Sequence, residues 1–375
     1  MDKEKVAILG AGAGGHAMAA DLTMRGFTVN LCDLPQFSGT IKRTIEAGKI
    51  EFTGFTEGVA KINMITTDIK ETIKNAKTIF VVAQSKADNL FAEACAPYVQ
   101  DGQIIVLGAG NCGSLIFANT FRKIGVKEDI IFSESVSLPY GCRLKDPTHP
   151  GGPPHVRMLF RTPGFTNFSV GVFPAKRTEE VVTQLKKFYA GVTGRTNALE
   201  AGLSNPNPIV HCLPTLLNIG RIERADHFAL FAEGFSGSVV KAMLALQRER
   251  DNIFDTLGWK PVSRAAKDAD EYMRTRFANA MPKDLLQEAF EFKGPMGPVS
   301  EDRYITEDVP YGLVNYSSFG DMVGVETPMI DASIRIAEVI NEVDYGAEGR
   351  TAAKLGLADM DISQLNGFLY NGWDR

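Results

Sequence analysis

The chain has 375 residues, enough for two or three domains around a large buried core. Its 44% hydrophobic and 23% charged content is that of an ordinary globular protein, and a formal net charge of -5 with dispersed Lys and Arg argues against a nucleic-acid or membrane partner. No apolar run reaches the roughly 18 residues of a membrane helix, no signal-peptide pattern is read at the N-terminus, and the five cysteines form no CxxC pair, so a cytoplasmic protein with free thiols and no metal site is expected.

Val6 to Leu9 reads as a short buried strand, followed by Gly10-Ala11-Gly12-Ala13-Gly14-Gly15 and a helix from about His16 to Arg25 that Gly26 ends. Thr28 to Cys32 is the second strand, and Asp33 stands at its carboxyl end. Strand, GxGxxG, helix, strand and acid in this order are the fingerprint of a dinucleotide site. Gly10 serves the tight turn, Gly12 the close approach of a pyrophosphate and Gly15 the packing of helix on strand, while the helix N-terminus offers N–H groups to phosphate. The whole stretch Gly10, Ala11, Gly12, Ala13, Gly14, Gly15 is therefore expected at the cofactor, with Asp33 on the adenosine ribose hydroxyls. A carboxylate there repels a 2′-phosphate, so NAD is expected; Lys42 and Arg43, nearby in sequence, leave NADP as the second choice.

The α/β alternation continues. Lys49 to Ile65 predicts an antiparallel excursion, and Lys77 to Ala83 and Gln103 to Leu107 predict buried strands joined by a helix near Asn89 to Val99. Gly108 to Gly113 is a second glycine-rich turn, containing Asn111, at the same carboxyl edge. Ile130 to Phe132 reads as a strand leading into a polar loop, Glu134 to Arg143. Thr148 to Pro154 reads as loop, Val156 to Arg161 and Phe168 to Phe173 as strands extending the sheet, and Thr178 to Tyr189 as amphipathic helix. From about Ala198 the signals are helical: Gly237 to Leu257, Ser263 to Ala280, Pro282 to Phe290 and Pro328 to Asn341. The expected architecture is an α/β Rossmann-type nucleotide-binding domain, residues 1–197, followed by an all-α helical domain, residues 198–375, for substrate binding and catalysis.

Two stretches of the second half carry chemistry. Asn205-Pro206-Asn207-Pro208 forms a stiff loop running into a helix, with His211 at its start; each proline locks its own φ and disfavours the α region for the residue before it. Gly294 to Leu313 is a second Pro- and Gly-rich loop that carries Arg303 and Asp308. Taken singly, His211 reads as a packed or capping histidine, Asp308 as an N-cap and Arg303 as a surface ion pair. Hydride transfer at a C–O–H or C–N–H group, however, needs a proton donor or acceptor. A histidine in that role is served by a carboxylate, and an acid substrate by the fork of an arginine. His211, Asp308 and Arg303 supply these roles if the fold joins the two loops. His227, in an apolar stretch read as helix, is expected in the core.

Asn205 to Gly220, together with Arg303 to Leu313, resembles the opine dehydrogenase family, the octopine and nopaline dehydrogenase group; Glu134 to Arg143 and Gly349 to Leu357 are similar to its further patterns. The resemblance implies NADH-dependent condensation of an amino acid with a 2-oxo acid through an imine, on the CH–NH group. It places the acid/base pair on His211 and Asp308 and a substrate-carboxylate site on Arg303. Less closely, it places Ser137, Cys142 and Arg143 near the oxo acid, and Asn111 beside them. The small-molecule substrates are then the expected partners, and the apolar helical surface allows a homodimer. Two rival readings stand beside it. One is an NAD(P)-dependent 2-oxo acid reductase or hydroxy acid dehydrogenase of the ketopantoate reductase or glycerol-3-phosphate dehydrogenase type, with Lys241 as its catalytic candidate. The other is a non-enzymatic NAD-responsive regulator, against which stands the lack of a DNA-binding element.

Overall fold

The short apolar runs Val6 to Leu9 and Ile104 to Leu107 form strands because each is bounded by polar residues or glycine and is buried on both faces. The computed structural model describes residues 4–145, 154–161, 168–224, 227–261, 265–276, 291–293 and 303–373. The chain divides into two compact units, one running to Gly202 and joined by the segment from Asn366 onward, the other spanning Leu203–Leu365.

The first unit runs β1 (Lys5–Leu9), α1 (Ala13–Met24), β2 (Thr28–Cys32), α2 (Ser38–Ala47), β3 (Lys49–Gly54), β4 (Gly58–Lys61), β5 (Met64–Thr66), α3 (Ile69–Ile73) and β6 (Thr78–Val81). It continues with α4 (Asp88–Cys95), β7 (Ile104–Gly108), α5 (Gly113–Ile124), β8 (Ile131–Ser135), β9 (Tyr140–Lys145), β10 (His155–Arg161), β11 (Ser169–Phe173), α6 (Thr178–Leu185), β12 (Thr193–Gly194) and α7 (Ala198–Leu203). The main sheet has the order β12-β11-β8-β7-β6-β1-β2-β5. It is parallel from β5 through β8, and β11 closes it antiparallel to β8. The strand order reverses at β1, which is where an open α/β sheet opens a crevice at its carboxyl edge.

The excursion Lys49 to Ile65 is antiparallel through β3 and β4, and then β5 joins the main sheet beside β2. Two expectations for the following segment are corrected. The stretch Glu134 to Arg143 is not all loop, since Glu134 and Ser135 end β8 and Cys142 and Arg143 lie in β9. Of the two strands expected to extend the sheet, only β11 does so. β10 pairs with β3 and β9 in a separate four-stranded sheet of order β4-β3-β10-β9. The reason is burial: Val156 and Met158 of β10 join Ile50, Phe52, Ala60 and Cys142 in one core cluster with the α1 side chains. α1 is consequently buried without a break from Gly15 to Leu22, which accounts for its lack of a polar face.

The second unit is mainly helical: α8 (Leu213–Leu217), α9 (Ile219–Ile222), α10 (Leu230–Glu233), α11 (Gly237–Leu257), α12 (Ala269–Arg276), α13 (Arg303–Thr306), α14 (Val314–Val323), α15 (Pro328–Asn341) and α16 (Tyr345–Glu348). α11 starts on a Ser236 hydroxyl that accepts from the Val239 N–H and stops at Gly258 with φ +76, and both ends fall where the sequence places them. His227 proves to begin a short strand, β13 (His227–Ala229), paired antiparallel with β14 (Glu291–Lys293), rather than to lie in a helix. The expected helix Pro282 to Phe290, most of the loop Thr148 to Pro154 and the first part of the loop Gly294 to Leu313 lie outside the described residues. The last helix, α17 (Ile362–Asn371), leads back to the first unit. There Phe368 and Trp373 pack on Phe173 of β11 at ring distances of 5.1 and 4.9 Å. Among the described residues no helix is long and apolar enough to cross a membrane. All five cysteines are buried and free.

Candidate active site

The first cluster of site residues is the turn between β1 and α1. Gly10 has φ +102, and a side chain there would strike the Val82 carbonyl that follows β6. A Cβ on Gly15 would collide with the Gly10 carbonyl, so the third glycine exists to let α1 close on the loop. Gly12 differs from both: nothing lies within 4 Å of the position its Cβ would take, so its backbone faces open space where a ligand can approach. Gly14 abuts the side chains of Val82 and Leu138, and Ala13 begins α1.

Asp33 is brought to this loop. Its carboxylate accepts from the Ala11 N–H at 2.7 Å through one oxygen and from the Leu34 N–H at 2.8 Å through the other. Burial pushes its pKa up from the ordinary carboxylate value, and the two amide donors act in the opposite sense. Lys42 lies on the exposed side of α2. The sequence reading assigned nothing to His16, although it stands four residues after Gly12. Its ring is fully buried, with Nδ1 2.9 Å from the Gly12 carbonyl and Nε2 2.7 Å from the Thr44 hydroxyl of α2. A carbonyl only accepts, so Nδ1 carries the proton and Nε2 accepts from Thr44. Burial lowers its pKa to about 4, which keeps it neutral.

The second glycine-rich turn, between β7 and α5, is shaped differently. Ala109, Asn111 and Cys112 all have left-handed φ values, +54, +48 and +67. Asn111 is buried, and its side chain donates to the Ser85 hydroxyl at 3.2 Å. The N-terminus of α5 is not open to a ligand, because the buried Glu134 carboxylate accepts from Cys112 N–H at 2.5 Å and from Ser114 N–H and hydroxyl at 3.2 and 2.7 Å. Sequence reasoning placed Glu134 in a polar loop and gave it no role. Its position at the end of β8, opposite Leu107 in the parallel pair, is a property of register alone. Ser137 is exposed, Cys142 is buried in β9, and Arg143, next to it, is exposed and donates to the Cys142 carbonyl at 3.1 Å.

The second cluster lies in the helical unit. Pro208–Cys212 forms a single π-helical turn that carries His211, and Val309–Leu313 forms another, directly after Asp308. Single π turns inside helices recur at functional sites. Asn207, just before Pro208, keeps right-handed helical angles against the usual restriction. The Asn205 side chain, accepting from the Asn207 N–H at 3.0 Å, and the Pro206 carbonyl, accepting from Ile209 and Val210 N–H at 3.1 Å, hold it there. The two turns lean on each other: Gly312 faces the Pro208 ring so closely that a Cβ would overlap it. Gly349 in turn lies under Pro310, where a Cβ would be 2.5 Å from the Pro310 carbonyl, and the Arg350 N–H donates to that carbonyl at 2.8 Å. The glycines and prolines of the three sequence patterns thus pack one corner of this unit.

In that corner His211 Nδ1 and Asp308 Oδ2 are 2.7 Å apart, and both residues are almost completely buried, 3% and 2% exposed. Asp308 stands at the N-cap of its turn but makes no capping bond with its side chain, so the carboxylate serves the imidazole instead. The ring of Tyr304 stacks on His211 at 3.9 Å, and Phe231 meets it edge-on at 6.0 Å. The Arg303 guanidinium lies 5.7 Å from the Tyr304 ring centre and 3.4 Å from Glu307. Cys212 donates to the Tyr304 carbonyl at 3.3 Å, and burial, followed by nearby Asp308, holds its thiol well above the ordinary pKa. Lys241 stands on the exposed side of α11. The aromatic box around His211 was not foreseen; Tyr304, adjacent to Arg303, was its one visible signal.

Comparisons with known proteins point to one family. Residues 194–341 match the family described as NAD/NADP octopine/nopaline dehydrogenase, alpha-helical domain. An opine dehydrogenase of Arthrobacter sp. (strain 1C) is 30% identical, over 97% of this chain and 98% of that one. An octopine dehydrogenase solved with NADH and L-arginine superposes with a TM-score of 0.70 at 19% identity, covering 100% of this chain and 99% of that one. A ketopantoate reductase from Ralstonia eutropha JMP134 shares the fold more loosely, with a TM-score of 0.56 at 15% identity over 90% of this chain and 98% of that one. The chain belongs to the opine dehydrogenase family, and with it to the NAD-dependent dehydrogenases.

Proposed function

We propose that the protein joins the amino group of an amino acid to the carbonyl carbon of a 2-oxo acid, with loss of water and reduction of the resulting imine, and catalyses the reverse oxidation at the CH–NH group. The observation that carries this reading is the buried hydrogen bond between His211 and Asp308. Condensation needs the amine as a neutral nucleophile and the carbinolamine hydroxyl as a leaving water. One imidazole that takes a proton in the first step and returns it in the second meets both needs. Asp308 fixes the tautomer by holding Nδ1–H, which makes Nε2 the nitrogen that exchanges protons with the substrate, and it stabilises the imidazolium between the steps. The stacked Tyr304 ring keeps the imidazole plane in place.

Arg303 is the proposed partner of a substrate carboxylate. Its half-exposed guanidinium can present to a carboxylate the bidentate fork that an ammonium lacks. The open backbone at Gly12 and the Asp33 carboxylate beside Ala11 fit NADH, which supplies the hydride when bound, with Asp33 favouring it over NADPH. Ser137, Cys142, Arg143 and Asn111 are proposed, on the family resemblance, to line the oxo-acid side. A cytoplasmic setting suits five free, buried thiols.

The test is a matrix of amino acids, L-arginine among them, against 2-oxo acids such as pyruvate, followed by NADH depletion. Turnover that requires both partners, with a secondary amine dicarboxylate as product, is expected. Oxidation of NADH by an oxo acid alone at the same rate would return the protein to simple 2-oxo acid reduction.

A further inference from the structure

We infer that Glu134 is a positioning residue for the reaction, holding the strained turn Gly108 to Gly113 in shape at the hydride-transfer end of the cofactor crevice. This rests on the reading of the first unit as the NADH-binding one. The crevice opens where the strand order reverses, with β2 and β5 on one side of β1 and β6, β7 and β8 on the other. Asp33, at the end of β2, marks the adenosine side. A bound nicotinamide half would then lie toward the ends of β6 and β7, and the turn in question follows β7 directly.

That turn is held against its own preferences. Three non-glycine residues within four positions, Ala109, Asn111 and Cys112, occupy left-handed backbone that L side chains disfavour. Strain of this kind persists only where the surroundings over-determine it, and it gathers at functional sites. Here Glu134 supplies the restraint: Oε1 accepts from Cys112 N–H, and Oε2 from the N–H and hydroxyl of Ser114. Ser135, the next residue, accepts the Ala109 N–H at 3.1 Å through its hydroxyl, so adjacent residues of β8 grip both ends of the turn. Asn111 then links it to Ser85 after β6.

The space around the carboxylate is reserved for it. A Cβ on Gly202 would lie 2.7 Å from Oε1 and 2.5 Å from the Cys112 nitrogen, and a Cβ on Gly110 would press on Leu107 at 2.9 Å. Glu134 is 0% exposed, and a buried carboxylate is a costly way to fill a core position that an apolar side chain fills better. What an apolar side chain cannot do is accept hydrogen bonds from Cys112 and Ser114 at once. The side chain is thus matched to the turn's geometry.

The experiment compares Glu134→Gln with the wild type in two measurements: turnover of NADH with the substrate pair, and binding of ADP-ribose, which occupies only the adenosine side. Because misplacing a group near the reacting atoms is costly, kcat is expected to fall by about tenfold or more, while ADP-ribose binding stays within about twofold. Adding Cys112→Gly should return several-fold of the lost kcat, since glycine takes the left-handed angle without a Cβ penalty. Ser114→Ala, which removes one bond and leaves the charge, is the milder arm if Glu134→Gln does not fold, and should lose about threefold in kcat. An unchanged kcat, or an equal loss of ADP-ribose binding and turnover, in whichever variant folds overturns the inference. A wild type that binds neither NADH nor ADP-ribose overturns the reading beneath it and the inference together.

Discussion

The glycine loop of the first unit and the histidine–aspartate pair of the second are assembled by different means. In the loop the bonds that matter span short stretches of chain, 22 residues from Ala11 to Asp33 and 4 from Gly12 to His16, and its shape depends on side chains that are missing. In the pair the partners are 97 residues apart, and two π turns, a proline packed on a glycine and a stacked tyrosine are needed to align them. The first arrangement is broken by adding an atom, the second by removing one. A loop that presents backbone to its ligand is also more tolerant of distant change than a pair of side chains whose hydrogen bond sets a proton's position.

The largest effect is expected in the pair. His211→Ala should lower turnover by about 100- to 10,000-fold while leaving NADH binding intact. Asp308→Asn should approach it, and the double variant should be little worse than either single one, because groups acting as a unit are not additive. Steady-state kinetics on the three variants decides; additive losses would separate the two residues.

The next effect sharpens the contrast within the loop. Gly15→Ala should destabilise the first unit by a few kcal/mol or prevent folding, since the new methyl meets the Gly10 carbonyl and a backbone atom cannot rotate away. Gly12→Ala should leave stability within about 0.5 kcal/mol, because Gly12 already has an extended conformation that alanine adopts and open space around it. It should nevertheless weaken NADH by about tenfold. Urea midpoints and NADH titrations of both variants measure the difference. Equal stabilities would mean that Gly15 is not the residue that closes α1 on the turn.

Acid should act on the loop through His16. Its native pKa is lowered by burial to about 4, against an ordinary value of 6.5 in the unfolded chain. Between these values the unfolded state binds more protons, so stability falls as pH drops from about 6.5 to about 4 and the loss levels off below. The linked difference approaches about 3 kcal/mol. Urea unfolding of wild type and His16→Gln across that range should show a flatter acid limb in the variant; parallel curves would remove His16 from the acid response. The smallest effect concerns Asp33. Asp33→Ser should narrow the preference for NADH over NADPH by about tenfold, read as a ratio of kcat/KM values, and a wild type that uses NADPH equally well would transfer the role to Lys42 or Arg43.

Much of this molecule is written in local pattern. By itself the sequence determined the alternation of buried strands and helices, the glycine turn with its acid, the change to helical period near residue 198, and the bounds of helices such as Gly237–Leu257, because these follow from steric limits and burial acting within a few residues. It also marked His211, Asp308 and Arg303 as candidates, through chemistry that requires those side chains and through resemblance to a family. Tertiary structure alone decided which sheet β10 enters, that Asp308 turns to His211 and not to its own turn, that Glu134 fills the second turn from within, and that α17 leads back to the first unit. Each of these depends on register or on contact between distant segments. A strand's apolar pattern is the same whichever sheet receives it, and a carboxylate's sequence neighbours do not say which donor it will face.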